Sequence, residues 1–476
     1  MSKPNCITWF SRNVINNLIN KYIMKLKIEI PDNNTEERKY ILEVIFSEIL
    51  GLEFSVSYTN TDYYKIYFLE NKILKIKDCF FNLYPESKSY LNINALPKKI
   101  QYVTNQLTVN DELPIIFGDP ETHISENEIK TNVDLFSSAF FMLTRWEEHV
   151  SSKTDEHDRY DEQQSIAIKN DFIYRPIVNE YIEYLWNALC LLGYNRETRL
   201  KRDFQIVLTH DVDHIRKWKN LKIYLEDIYD DITNPLAIFI HTKSYISSLF
   251  NKNNDPYNTW DFLMRESERV GTKSYFNFMT GGNSKYDNKY DINSKTSQNI
   301  IQKILSRNHH FGFHPSYNSY NDLDQIKKEK EKLESILIDS TIKCGRQHYL
   351  RFEVPHTWQL WDDLGIPWES TITYGKTSGF RCGICYPFTV FNVVTREKLN
   401  LVEKPLIFME QTFIGYKESS PDEVISFAKN LLEEVKKYNG EFVLLWHNSS
   451  FNTYTMSKYK GVYSAILNEY IKLKNS

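Results

Sequence analysis

Residues 203–214 read DFQIVLTHDVDH, in which two aspartates and two histidines follow an apolar run. The apolar run within it is typical of a buried strand of the parallel type, and parallel strands carry ligand sites at their carboxyl ends. Asp211 and Asp213 follow this run, and an extended chain places them on one side about 6.5 Å apart. Because two such carboxylates repel, the spacing favours a bound cation. A charged turn that caps the next helix is the alternative interpretation.

Polar groups also stand at the ends of later apolar segments. His314 comes directly before Pro315, which cannot continue a strand ladder, so we expect the strand to end at this histidine. Three further residues of the same kind follow later segments: Arg346, His348 and His447. Since the carboxyl ends of parallel strands meet on one face, all these side chains are expected to converge with the two aspartates. A metal-assisted hydrolase site is the chemistry that such a set favours.

From residue 203 onward, strand patterns alternate with helix patterns. Strands are predicted at 206–208, 274–279, 311–314, 344–352, 371–374, 406–410 and 442–447. Helices are predicted between them, for example at 299–306, 322–337, 357–364 and 421–438. Repeated strand–helix units predict a mainly parallel sheet or barrel. The long segment between His214 and Trp260 is expected to form a helical insertion at the rim of the site.

The chain before about residue 200 has a different pattern. Helices are predicted at 36–50, 132–149 and 176–192, and strands at 52–58, 64–69, 73–76 and 114–118. This predicts an α/β protein in which a smaller α+β domain, residues 1–200, precedes a (β/α) barrel domain, residues 201–476. Charged residues at 145–148 and 155–159 are interpreted as a solvated helix end and loop.

Composition limits the classes of partner. With 476 residues the chain is long enough for two or three domains, and its net charge of −4 does not suggest a nucleic-acid partner.

The six cysteines are dispersed, and Cys382 and Cys385 lack a second pair that would complete a zinc site. We predict that these two thiols hold no zinc.

Neither a signal peptide nor an apolar run of about 18 residues occurs, so a cytoplasmic protein without a membrane span is expected. The oligomeric state is not determined by the sequence.

The order of the polar blocks resembles the polysaccharide deacetylase superfamily, carbohydrate esterase family 4. THDVD (209–213) is similar to its first motif and GFHPSYN (312–318) to its second. RQHY (346–349) resembles the arginine-bearing third motif and LLWH (444–447) the late histidine motif. The resemblance covers residues 203–460 and implies a distorted (β/α) barrel of the deacetylase type. Residues 36–198 resemble a domain of unknown function that precedes such barrels in some bacterial proteins.

The resemblance also implies roles for individual residues. Asp211 corresponds to the general base, and Asp213 and His314 correspond to metal ligands. His447 corresponds to the histidine that protonates the leaving group, and Arg346 of the third motif is placed with the catalytic residues.

One departure from the family bears on the metal. The second metal histidine of the family falls four residues after His314, where this chain has Asn318. Zinc sites usually have three protein ligands. His348 is the predicted third ligand, His210 is an alternative, and loss of metal binding is another.

Two hypotheses therefore stand. In the first, the protein is a metal-dependent deacetylase that acts on an acetylated sugar or polysaccharide precursor with a divalent cation, zinc being favoured. In the second, it is a catalytically inactive protein of the same fold that binds carbohydrate or serves as a scaffold. The intact pair Asp211 and His447 favours the enzyme, whereas Asn318 favours the inactive protein.

Overall fold

A computed structural model describes residues 25–287, 290–337 and 340–476. These residues divide into two compact units. The first unit contains the chain up to Phe140 together with Glu180–Lys201, and the second contains Phe141–Asn179 together with Arg202–Ser476. The segment 141–179, which the sequence assigns to the N-terminal domain, thus packs within the second unit. The division into two domains near residue 200 stays a prediction.

The first unit is built on a six-stranded mixed sheet with the strand order β2-β1-β3-β4-β8-β7, beside a separate β5–β6 pair. Its strands are β1 (Leu26–Pro31), β2 (Phe54–Thr59), β3 (Tyr63–Leu69), β4 (Lys72–Lys77), β5 (Gln101–Val103), β6 (Leu113–Ile115), β7 (Gly118–Ile124) and β8 (Glu128–Val133). Alternate residues Ile28 and Ile30 of β1, and Tyr64 and Ile66 of β3, are fully buried. This period of two places one face of the sheet against the core.

The second unit contains a nine-stranded sheet with the order β14-β15-β13-β12-β11-β10-β9-β17-β16. The strands are β9 (Gln205–Val212), β10 (Tyr275–Phe278), β11 (His310–Phe313), β12 (Cys344–Gly345), β13 (Trp368–Glu369), β14 (Phe388–Asn392), β15 (Glu397–Glu403), β16 (Phe408–Met409) and β17 (Glu441–Leu445). Neighbouring strands are parallel except for the β14–β15 pair. The sheet is curled into a half-barrel. The predicted mainly parallel sheet is therefore confirmed.

All but the last of the helices lie between these strands along the chain. They are α1 (Thr35–Leu42), α2 (Leu135–Thr144), α3 (Trp146–Val150), α4 (Ile166–Lys169), α5 (Ile177–Leu191), α6 (Leu221–Asp230), α7 (Pro235–Phe250), α8 (Trp260–Arg269), α9 (Lys295–Ser306), α10 (Leu323–Glu334), α11 (His356–Asp363), α12 (Pro421–Lys437) and α13 (Val462–Asn475). A π-helical stretch, Glu43–Ile49, continues α1. The predicted helical insertion is confirmed and consists of α6 and α7. Within the described parts of the chain, no helix combines the length and apolar content needed to cross a membrane.

One predicted strand, at 371–374, is wrong. The strand in this region is β13, which ends at Glu369. The backbone N–H of Thr371 donates to the Glu369 side chain, and the Thr371 hydroxyl accepts from the backbone N–H of Gln347. Local side-chain bonds of this kind replace a strand ladder. The antiparallel pair β14–β15 was not predicted.

The predicted single helix at 132–149 is interrupted at Arg145, which has a left-handed backbone (φ 51°). The Arg145 side chain is fully buried, and its guanidinium contacts the carboxylates of Glu147 and Glu148. Arg381 forms a second buried ion pair with Glu148. The interpretation of residues 145–148 as a solvated helix end is therefore wrong. These charges are paired inside the second unit.

Replacing Glu148 with Ala is expected to lower the free energy of unfolding by about 3–5 kcal/mol, because two buried guanidinium groups lose a shared carboxylate. Denaturant unfolding of the full chain measures this change. The control is Glu156→Ala, an exposed glutamate of the same segment, where a change within about 0.5 kcal/mol is expected. Equal effects for the two variants would contradict the role given to the buried pairs.

Candidate functional site

A cavity of about 460 Å³ lies at the carboxyl ends of the parallel strands of the second unit. Five of the six side chains that the sequence singled out line it: Asp211, Asp213, His314, His348 and His447. The sixth, Arg346, is buried and contacts Asp211. The structure thus brings together residues at or just beyond the carboxyl ends of four strands, β9, β11, β12 and β17. Their convergence makes this cavity the candidate functional site.

Asp213 and two histidines form a group that could hold a metal ion. The Nε2 atom of His314 lies 3.3 Å from Oδ1 of Asp213, and the Nε2 atom of His348 lies 3.8 Å from the same oxygen. The three candidate ligand atoms all lie within 4.8 Å of one another. Oδ1 is buried and accepts no hydrogen bond from the residues that the structure describes. Burial by itself raises the pKa of Asp213, but contact with His314 and the charges of the other histidines outweigh burial and lower it. This carboxylate is therefore ionised at neutral pH.

Both candidate histidine ligands are oriented by a bond at the opposite ring nitrogen. Nδ1 of His314 donates to the carbonyl oxygen of Arg346 at 2.6 Å, and Nδ1 of His348 lies 3.4 Å from the carboxylate of Asp287. With a metal bound, these partners would favour the neutral tautomer that has the proton on Nδ1 and the lone pair on Nε2. A carbonyl or carboxylate that holds the far side of the ring is typical of histidines that bind metals. One carboxylate oxygen and two imidazole nitrogens fit zinc or a similar divalent ion.

The structure also separates the alternatives for a third ligand. Both ring nitrogens of His210 are occupied, Nδ1 by the carbonyl of Trp446 at 2.7 Å and Nε2 by the hydroxyl of Ser274 at 3.0 Å. His210 is therefore unsuited to bind a metal. Asn318 is exposed, and its Oδ1 accepts a hydrogen bond from Arg351 at 3.0 Å. His348 is the residue that stands beside Asp213 and His314.

Asp211 is held so that one of its oxygens remains available. Oδ1 accepts hydrogen bonds from Asn277 at 2.7 Å and from Arg346 at 3.0 Å. Oδ2 lies 4.0 Å from Nε2 of His314. Burial by itself raises the pKa of Asp211, but the charge of Arg346, with those of the nearby histidines, outweighs it and lowers the pKa. An ionised carboxylate that is held through one oxygen can accept a proton at the other.

Asn277 is a residue of the site that was not predicted from the sequence. It lies on β10 directly beside Asp211 of β9, with the strands in parallel register. On the other side it pairs with Gly312 of β11, where a Cβ atom would lie only 2.0 Å from Oδ1 of Asn277. A glycine at this position makes room for the amide. The register between strands, which the sequence does not show, brings the amide to Asp211.

His447 is paired with a buried carboxylate, Glu410, that the sequence did not assign to the site. Nδ1 of His447 lies 2.6 Å from Oε1 of Glu410, which also accepts from the backbone N–H of His447 at 2.9 Å and from Ser450 at 2.8 Å. Burial by itself lowers the pKa of His447, but the charges of Glu410, Asp213 and Asp211 outweigh it and raise the pKa to about 10. The imidazole is therefore protonated at neutral pH in the metal-free protein, with Nε2 lying 3.8 Å from Asp213.

Replacing Glu410 with Gln is expected to lower the pKa of His447, because the variant loses the carboxylate charge that favours the imidazolium. The protonated fraction then falls at a lower pH than in the wild type. Titration of the His447 ring by NMR in metal-free protein measures this change. Glu433→Gln on the exposed face of α12 is the matched control, since it lies outside the site. An unchanged pKa in Glu410→Gln would refute the pairing.

Side chains from the segment 141–179 also reach the site region. Arg159 lines the cavity and donates to the backbone carbonyl of Tyr349 at 3.1 Å, and its guanidinium pairs with Asp155. The ring of His157 lies 4.8 Å from that of Tyr349 and 5.1 Å from that of Tyr286. The interpretation of residues 155–159 as an ordinary solvated loop is therefore incomplete. Only the packing of this loop in the second unit identifies it with the site.

Cys382 and Cys385 are free and buried. Burial raises the pKa of both thiols, which disfavours the thiolate form that binds metals. That they hold no zinc stays a prediction.

Comparisons with known proteins cover the two parts of the chain differently. Residues 26–193 match a family of unknown function, DUF7033, so the predicted resemblance of this region to a domain of unknown function is confirmed. A search of curated proteins gave no match. Among solved structures, a chain from Mycobacterium smegmatis described as a "putative polysaccharide deacetylase" is similar with a TM-score of 0.37 and 14% identity. The alignment covers 56% of this chain and 84% of that chain. A similarity at this level does not indicate a function.

Proposed function

We propose that this chain is a metal-dependent hydrolase that removes acetyl groups from a sugar or polysaccharide precursor. The observation that carries the proposal is the joint arrangement of Asp213, His314 and His348 in one cavity with Asp211 and His447. The motif resemblance to polysaccharide deacetylases supports the reaction class. We further propose that the curled sheet of the second unit is the distorted (β/α) barrel of that superfamily.

Each residue has a role that follows from its contacts. A divalent cation held by Asp213, His314 and His348 would lower the pKa of water and polarise an acyl carbonyl. Asp211 accepts the proton of the attacking water at Oδ2, because Oδ1 is engaged by Asn277 and Arg346.

His447 acts on the leaving group. Its Nε2–H donates a proton to the departing nitrogen or oxygen, while the Glu410 carboxylate at Nδ1 stabilises the imidazolium before transfer. Asp211 and His447 thus serve as base and acid with opposite charges in one cavity. Their pKa values are moved in opposite directions by their partners, as acid–base pairs require.

The proposed carbohydrate substrate is supported by the lining of the cavity. Its volume lies in the range of about 300–1,000 Å³ that is usual for small-molecule sites. Three tyrosines line it: Tyr286, Tyr349 and Tyr416. Aromatic rings offer an apolar face to the C–H groups of a sugar and a hydroxyl for its polar groups.

The test begins with elemental analysis of the full chain purified without chelator. Hydrolysis of an acetylated amino sugar and of an activated acetyl ester is then measured after chelation and after re-addition of Zn²⁺ or Co²⁺. We expect about one metal ion per cavity, since three protein ligands are available. We also expect that chelation removes the activity and that added metal restores it. A chain that binds no divalent metal and shows no metal-dependent hydrolysis would overturn the proposal. Sugar binding without hydrolysis would favour the inactive carbohydrate-binding protein.

A further inference from the structure

Many large apolar side chains of the helical insertion formed by α6 and α7 are exposed, although Ile223, Ile228, Ile238 and Ile240 are half-buried. None of the α6 residues is buried, and the buried residues of α7 are Ala237, His241 and Ser248. Nine large apolar residues of the insertion are between 47% and 89% exposed: Leu221, Leu225, Tyr229, Ile232, Leu236, Phe239, Ile246, Leu249 and Phe250. A helix at the surface of a globular protein normally turns such residues toward the core. In the insertion, most of the large apolar residues are exposed instead.

Aromatic and polar contacts join the two helices of the insertion. Tyr224 of α6 stacks on Tyr245 of α7 with ring centroids 4.5 Å apart, and its hydroxyl bonds to Thr242. His241 lies 2.8 Å from the carboxylate of Asp231 and is buried. Because these contacts already join α6 to α7, the apolar side chains are not needed to hold the two helices together. They remain available to a partner.

The exposed apolar side chains form a stripe along each helix. Leu221, Leu225 and Tyr229 recur at intervals of four residues along α6. Along α7 the exposed apolar positions are separated by intervals of three, seven, three and one, from Leu236 to Phe250. Both spacings keep the side chains on one side of a helix of 3.6 residues per turn. The two stripes together define the apolar face of the insertion.

The size of this face matches a protein interface. A buried aromatic side chain covers about 150–250 Å², so three largely exposed aromatics and six aliphatics amount to on the order of 1,000 Å². The largest apolar patch on a typical monomer is about 300–600 Å². A stable protein–protein interface takes about 800 Å² from each partner. The apolar face is therefore large enough for one such interface.

We propose that the apolar face packs against the same face of a second copy of this chain, so that two α6–α7 pairs form a four-helix dimer contact. The distribution of charge favours this partner. Lys243 is exposed on α7 within the apolar stripe, four residues after Phe239. Lys222, Glu226 and Asp230 are exposed on α6, where Lys222 pairs with Glu226 at 3.4 Å and the edge keeps one net negative charge. In the two-fold contact that we propose, the α7 helix of one copy meets the α6 helix of the other, so each Lys243 approaches the net negative edge of α6. A helix that lies on an anionic membrane instead needs a basic polar face.

The full chain is tested by light scattering after size exclusion and by sedimentation velocity. At about 10 µM we expect twice the 56.7 kDa mass of one chain, since interfaces of this size bind in the micromolar range or tighter. Phe239→Asp should give a monomer with unchanged circular dichroism. Leu83→Asp, at an apolar residue of the first unit that is 72% exposed, is the control and should remain dimeric.

Charge reversal tests the two-fold arrangement itself. Lys243→Glu alone should weaken the dimer at least about tenfold, because like charges then meet at both ends of the contact. Mixing this variant with one that carries Glu226→Lys and Asp230→Lys should restore a dimer, since every contact in the mixed pair is again between opposite charges.

Several outcomes would overturn the proposal: a monomeric wild type at about 100 µM, well above the affinity expected for such an interface; a dimer that survives Phe239→Asp; or a mixture that stays monomeric. A monomer that floats with vesicles of phosphatidylcholine and phosphatidylglycerol would assign the face to a membrane instead. The measurements need no activity, so their result is independent of the proposed deacetylase function.

Discussion

Replacing Asp211 with Asn is expected to lower the turnover of an acetylated substrate by about 10²- to 10⁴-fold, the usual contribution of a general base. The amide keeps the size of the side chain, but it cannot accept the proton that the Oδ2 atom of Asp211 is proposed to take. Asn277 and Arg346 hold the other oxygen, Oδ1. Asp211 is not one of the three candidate metal ligands. The metal content of Asp211→Asn should therefore equal that of the wild type.

Steady-state kinetics and elemental analysis of the same preparation measure both effects. The matched control is Asp203→Asn, since Asp203 is exposed before the amino end of the same strand, β9. That variant should keep both turnover and metal. If Asp211→Asn lost its metal, Asp211 would be a ligand. Turnover close to that of the wild type would remove it from the role of base.

Replacing Asp213 or His348 with Ala is expected to weaken metal binding by more than about 100-fold, the upper range for loss of a group that merely supports a ligand. Each variant leaves two of the three proposed protein ligands, whereas stable zinc sites usually have at least three. Asp213 carries the charge of the set, so its loss should have the larger effect. Titration calorimetry with Zn²⁺ measures the affinity.

Asn318→Ala is the control for this experiment, because Asn318 is the residue that the motif resemblance aligns with a second metal histidine. Its side chain is bonded to Arg351 and exposed, so metal affinity should stay at the wild-type value. Retention of the metal in His348→Ala would show that His348 is not a ligand. Loss of the metal in Asn318→Ala would instead indicate that the third metal ligand belongs to the segment that follows β11.

The sequence by itself determined which segments carry the candidate chemistry. Asp211, His314 and His447 each follow an apolar run, and the carboxyl ends of parallel strands necessarily lie on one side of a sheet. A local pattern was therefore enough to predict that these residues converge. The helical insertion was visible for a similar reason, because 45 residues between His214 and Trp260 exceed what a simple crossover needs.

Only the tertiary structure decided which partners these residues have. Asn277 reaches Asp211 because β10 and β9 are in a particular register, and Glu410 reaches His447 because β16 lies beside β17. Register and strand order depend on packing between segments that are far apart in the chain. The local periodicity of a segment contains no information about that packing. The choice of His348 over His210 also required knowing which ring nitrogens are already bonded.

Burial of charge was likewise decided by the tertiary structure. The sequence around Arg145 and Glu148 is as polar as that of a solvated helix end, yet both side chains are buried, with Arg381 as a distant partner. In the α6–α7 insertion, by contrast, apolar residues are exposed although their spacing is that of a buried helix face. Local sequence reports how hydrophobic and how periodic a segment is. A buried charge is stabilised by an opposite charge, and an apolar face is stabilised by a surface that covers it. Whether the folded chain supplies these partners depends on contacts that form only when the whole chain has folded.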